Sequence, residues 1–115
     1  MQFLNIIRKF TVLKSKKLPS ECNSKDEIRQ QIDVIDKEII ALFAKRFAYV
    51  CEIVKFKNDI ESVVALDRKN HVIKARGEWA EEHGLDKETF EQIYRFLVNH
   101  NIGKELEILE NKNKL

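Results

Sequence analysis

The sequence predicts an all-α protomer of three helices, the first of them very long, whose long helices pack on those of a second copy as a homodimer. Three observations carry this expectation. The 115 residues include only three Gly and one Pro, too little punctuation for many short strands. Apolar residues recur in steps of four and three from Ile28 through Ile32, Ile35, Ile39 and Leu42, then at Val50 and Ile53, the pattern of one helix face. With 43% hydrophobic and 35% charged residues, the chain has material for one modest soluble core and no more.

Each helix has its own start and stop signals. Ser24 followed by Glu27 makes an S-x-x-E capping box ahead of the stripe, so helix 1 should begin near Lys25. Nothing interrupts it until about Asn58, roughly 34 residues or ~50 Å. A chain this short cannot cover such a rod, which is the argument for the homodimer. The pattern lapses from Asn58 to Leu66. Asp67 is then placed to cap helix 2, with Val72, Ile73, Trp79 and Ala80 inward and Gly84 as its left-handed stop. Asp86 caps helix 3, which carries Phe90, Ile93, Tyr94 and Leu97 on one face and runs to about Glu110. Its stripe continues through Asn101 and Glu105 to Ile108, so two polar groups one turn apart stand at core-facing positions.

Residues 1–17 are set apart from this helical domain of residues 18–115. They carry Arg8, Lys9, Lys14, Lys16 and Lys17 with no acidic residue, and their broken apolar clusters make neither a secretory core nor a membrane span. A mobile basic extension is the expectation, with a short amphipathic helix for a surface or partner as the other reading. A net charge of +2 does not imply nucleic acid, because the basic run ends at Lys17 with no aromatic–basic alternation after it. Cys22 and Cys51 have no metal-ligand spacing and read as free thiols, which fits a cytoplasmic protein.

The functional signal is a pair of cations, Arg46 and Lys57, on the apolar stripe of helix 1. An unpaired buried cation is costly, so such a pair describes either internal ion pairs or a cavity for an anion. Lys57 lies eleven residues from Arg46, close to three whole turns, while Lys55 is half a turn out of phase; on one helix Arg46 and Lys57 would stand ~16 Å apart. Arg29, on the flank, has Asp33 at i+4 for a surface pair. At ~25 Å from Arg46 along the helix, Arg29 could share a small ligand with it only across an antiparallel partner helix. Arg68 opens helix 2, where the macrodipole disfavours a cation. Glu105 either pairs with a cation such as Lys57 or stays protonated and donates a hydrogen bond. His71, His83 and His100 lack metal-like spacing, and no phosphate loop or nucleophile pair is present. Cations and one carboxyl suit anion binding and charge stabilisation, with no cofactor and no metal.

The run Glu27-Ile28-Arg29-Gln30-Gln31-Ile32-Asp33-Val34-Ile35-Asp36, followed by Arg46, Lys57, Asp67-Arg68 and Gly84-Leu85-Asp86, resembles the all-helical (type II) chorismate mutase family, which includes the isochorismate-pyruvate lyases. The likeness covers about residues 16 to 110. It implies three-helix protomers interlocked as a dimer with two active sites. It also implies that Arg29 from the partner subunit and Arg46 clamp the carboxylates of a dicarboxylate substrate. Lys57 would hydrogen-bond the ether oxygen of the breaking C–O bond with Glu105 on its other side, and Arg68 would help at the second carboxylate or ring, with Asn101 a further substrate contact. The implied reaction is the Claisen rearrangement of chorismate to prephenate, by holding the compact conformer and stabilising charge on the ether oxygen.

Two positions depart from that pattern. Many members have Gln at Glu105, and a carboxylate there would repel the developing charge, so Glu105 must be protonated to help. Lys69 stands where typical mutases place a glutamate for the ring hydroxyl. Phe56-Lys57 and the run Trp79-Ala80-Glu81-Glu82-His83-Gly84-Leu85-Asp86 are closer to the lyase branch, which converts isochorismate to salicylate and pyruvate. A rival outside enzymology is a helical dimerisation module, in which Arg46, Lys57 and Glu105 pair only among themselves.

Overall fold

The computed structural model describes residues 17–114. The expected basic extension, residues 1–17, therefore lies outside the described residues except for Lys17. The architecture is all-α, as the sequence predicts. After a 3-10 turn at Pro19–Glu21 come α1 (Lys25–Glu52), a second 3-10 turn (Ile53–Phe56), α2 (Ile60–Val64), α3 (Leu66–Glu82) and α4 (Lys87–Asn113). The chain divides into two compact units after Arg46.

In the first unit the expected cap is present with a shifted partner. The Ser24 hydroxyl accepts from the Glu27 N–H at 3.1 Å, but the Glu27 carboxylate reaches back to the N–H of Asn23 at 2.6 Å rather than to that of Ser24. Its other oxygen takes the ammonium of Lys17 at 2.9 Å. The Asn23 bond first, and Lys17 second, hold the Glu27 carboxyl below the usual carboxylate range. No residue of α1 is buried. The stripe of Ile28, Ile32, Ile35, Ile39 and Leu42 stands 39–52% exposed in the single chain.

The core of the second unit is Val54, Val63 and Leu109, with Ile102, Leu106 and Ile108 packed against it. It explains where α1 stops. A continuous helix to about Asn58 would keep the α-helical phase through residues 53–58. Instead the chain tightens into the 3-10 turn, and Val54 is left 1% exposed against its neighbours. Burying such a side chain contributes about 1.5–3 kcal/mol, enough to override the local helical pattern. Lys57 then leaves the turn in extended conformation (φ −117°, ψ 131°), so a count of three α-helical turns from Arg46 does not describe its position.

Between Asn58 and Leu66, where the apolar pattern lapses, the chain forms α2. Asp59 caps it by accepting from the Ser62 N–H at 2.7 Å, a bond that with the Ser62 side chain holds the Asp59 carboxyl low. Asp67 is not the cap of α3: the helix starts at Leu66 behind Ala65, which adopts a left-handed conformation at φ +41°. Asp67 sits in the first turn, where its charge still complements the helix dipole.

The end of α3 is as expected. Gly84, at φ +76°, closes a Schellman motif in which the Leu85 N–H bonds the Ala80 carbonyl and the Gly84 N–H that of Glu81. Asp86 caps α4 by accepting from both the hydroxyl and the N–H of Thr89. Val72, Ile73 and Ala80 are buried as expected, but Trp79 and Ile93 are 51% and 43% exposed. Trp79 is a platform at the surface instead: the Arg76 guanidinium lies 4.4 Å from its ring centre and 5.8 Å from that of Tyr94.

Where α3 packs on α4, Gly77 is buried, and a Cβ on it would fall 2.6 Å from Cγ of Glu91. Gly77→Ala should therefore lower stability by about 1 kcal/mol, the clash exceeding the gain in helix propensity. Urea unfolding at fixed protein concentration measures it, and an unchanged midpoint would mean that Glu91 swings away freely.

Candidate active site

One face of α4 carries the buried line Asn101, Glu105 and Leu109, at i, i+4 and i+8. The polar members are the two residues that the stripe places inward, and they are 5% and 6% exposed. A buried carboxylate needs a partner. Here Lys57 supplies it: its ammonium donates to Oε1 of Glu105 at 2.9 Å, with side-chain exposures of 18% and 8%. Of the two alternatives for Glu105, the structure contains the ion pair.

The pair depends on the break in α1. Because Lys57 follows the 3-10 turn in extended conformation, it meets α4 forty-eight positions later in sequence. Asn101 lies one turn before Glu105, ~6 Å along the axis, and among the described residues its side-chain amide makes no hydrogen bond. Three polar groups thus gather at one place: a cation with donors to spare, a carboxylate, and an amide with both donor and acceptor capacity. Such a site can bind an anionic or ether oxygen and offer hydrogen bonds to charge that develops there.

The other expected residues stand as follows. Arg68 is exposed in the first turn of α3 and, with Ile60, Val64 and Leu66, lines an open groove beside α2. Lys69 is half-buried. Arg46, in the first unit, is half-buried and already has a partner. Arg29, also in the first unit, is exposed, and the Arg29–Asp33 pair is not among the ion pairs of the described residues. Cys22 and Cys51 are free thiols. No described helix is long and apolar enough to cross a membrane.

Sequence reasoning overlooked Lys112. Its ammonium, on the last turn of α4, donates to the carbonyls of Val54, Lys55 and Lys57 at 3.2, 3.4 and 3.1 Å. A basic residue near a helix end normally reads as a favourable dipole contact with its own helix, and no local signal shows that it caps a different segment.

The pattern for chorismate mutase type II matches residues 28–106, which include α2, α3 and the stretch of α4 with Asn101 and Glu105. The chain belongs to the type II chorismate mutase family. The isochorismate pyruvate lyase of Pseudomonas aeruginosa is 30% identical over 90 residues, covering 78% of this chain and 89% of that protein. The chorismate mutase of Methanocaldococcus jannaschii is 29% identical over 92 residues, 76% of this chain and 93% of its own. The T-protein of Haemophilus influenzae is 30% identical over 80 residues, 69% of this chain, which matches only 21% of that longer protein.

Removing one partner leaves the other charge buried without compensation. Lys57→Met and Glu105→Leu should each cost roughly 1.5–3 kcal/mol, while the double substitution should recover much of that loss. A double-mutant cycle by urea unfolding at one protein concentration checks this, and additive losses would mean that the two groups do not interact.

Proposed function

We propose that this protein is a chorismate mutase that converts chorismate to prephenate. The observation that carries the reading is the buried Lys57–Glu105 pair with Asn101 one turn away, in a chain of the type II chorismate mutase family. The rearrangement is unimolecular: the ether C–O bond breaks as a C–C bond forms, with no nucleophile and no net proton transfer. The protein's task is to hold the compact conformer and stabilise negative charge on the ether oxygen. Lys57 has three N–H donors and accepts nothing, so it can turn one of them to the ether oxygen. Glu105 on the other side helps only when it carries a proton and donates it in a hydrogen bond. Substrate entry, with uptake of one proton from solvent by the Glu105 carboxylate, then exchanges the ion pair for two donors converging on one oxygen.

Arg46, with Arg68 at the second carboxylate or ring, binds the substrate's carboxylates, and Arg29 comes from the partner subunit of a homodimer. What supports the dimer is the apolar stripe of α1, which is exposed from Ile28 to Leu42 in a single chain. Contiguous aliphatic surface of this kind marks an interface. Asn101 contacts the substrate through its free amide.

A second reading is favoured by two observations. Lys69 stands where mutases carry a glutamate, and the Pseudomonas relative, named as an isochorismate pyruvate lyase, is as similar as the mutase. Isochorismate and chorismate are both dicarboxylates with an enolpyruvyl ether, so the same cations serve either substrate. Supplying each separately distinguishes the readings. Prephenate from chorismate is the expected result, salicylate from isochorismate would move the protein to lyase chemistry, and neither product would remove the enzymatic reading.

Because Glu105 helps only as a donor, Glu105→Gln, whose amide supplies a donor without a proton, should keep or raise turnover of chorismate, whereas Glu105→Ala should lower it. Equal losses of turnover in the Gln and Ala variants would remove Glu105 from that role. Mixing inactive Arg29→Ala and Arg46→Ala proteins should restore roughly a quarter of wild-type activity, since each mixed dimer rebuilds one complete site. No recovery after subunit exchange would rule out the cross-subunit arrangement.

A further inference from the structure

We propose that Lys112 is a positioning residue for the reaction, holding the backbone of Lys57 so that its ammonium is aimed at the ether oxygen. The inference rests on Lys57 having the role given above, and it concerns a residue in the last turn of α4, seven positions past Glu105.

The turn Ile53–Phe56 must end abruptly for Lys57 to leave α1 and face α4. Ending a helix leaves carbonyls without intrahelical donors. One of them, that of Val54, accepts the Lys57 N–H at 3.1 Å. The Lys112 ammonium then takes the Val54, Lys55 and Lys57 carbonyls together, using all three of its donors and placing a positive charge at the negative end of the turn.

The consequence is a two-point grip. Residues 105 and 112 are two turns apart on α4, ~10 Å along the axis. Glu105 holds the tip of the Lys57 side chain, and Lys112 holds its main chain. When substrate arrives and the ammonium leaves Glu105, the side-chain anchor is relaxed and only the backbone anchor continues to fix where the Lys57 Cα sits. A displacement of about 1 Å at a donor of this kind is enough to cost up to a hundredfold in rate. Lys112 thus acts through Lys57 and not on the substrate, so its loss should appear in kcat more than in KM.

The test uses the full chain and four variants, with kcat and KM measured on chorismate and isochorismate and the Lys57 backbone amide followed by 15N NMR. Lys112→Met should lower kcat about tenfold with KM within about twofold, and should move the Lys57 amide resonance. Lys112→Arg, whose fork of donors can reach the same carbonyls, should recover most of kcat. Lys112→Gln, which keeps two donors, should be intermediate and serves if the Met variant does not fold. Lys114→Met, a change at a surface pair with Glu110, should match wild type in both readouts. A wild-type kcat in Lys112→Met or Lys112→Gln overturns the proposal. So does a fall in kcat with the Lys57 amide unmoved, because Lys112 would then act by another route. If wild-type protein turns over neither substrate, the proposed function fails, and the amide resonance alone decides whether Lys112 positions Lys57.

Discussion

A buried carboxylate on α4 cannot stand alone, and the requirement to answer it organises the second unit. Glu105 is 6% exposed, so its charge must meet a cation or be removed by a proton. The chain answers with Lys57, and bringing Lys57 to α4 requires α1 to stop. The 3-10 turn, the burial of Val54 against Val63 and Leu109, and the Lys112 contacts with the turn's carbonyls all serve that change of direction. A straight helix would satisfy local propensity better and leave Glu105 without its partner.

The pair has two faces energetically. As a structural element it is a modest asset, because desolvating two charges offsets most of their attraction. On the proposed reaction it has a second use. A cation shielded from water acts on developing charge far more strongly than one at the surface. A hydrophobic pair of equal volume could pack as well, but it could not bind an ether oxygen.

The first unit poses the complementary problem. α1 presents five aliphatic residues to solvent along one face, each representing about 1.5–3 kcal/mol if fully covered. On the proposed function, a second copy that covers this face is also the one that supplies Arg29 to the substrate's carboxylates. Folding, assembly and the proposed substrate binding would then share one surface.

Local chemistry alone determined much of this protein. The Ser24 hydroxyl bond, the Gly84 stop, the Asp86 cap, the inward line of Val72, Ile73 and Ala80, and the burial of Asn101 and Glu105 all follow from spacing within one or two turns, where the interacting atoms are near neighbours in sequence. The family was legible in the Ile28–Asp36 run with Arg46 and Lys57 spaced after it. Three things were decided only in three dimensions. α1 ends at Glu52 because Val54 gains more from the core than from another helical turn. Trp79 turns outward, where the Arg76 guanidinium covers its ring. Lys112 finds carbonyls more than fifty residues away, and no local pattern can report which segment a flexible ammonium will reach. The sequence could propose Lys57 and Glu105 as partners, but its route to them was a helical phase that the chain does not keep; their meeting depends on a turn whose stability comes from side chains distant in sequence.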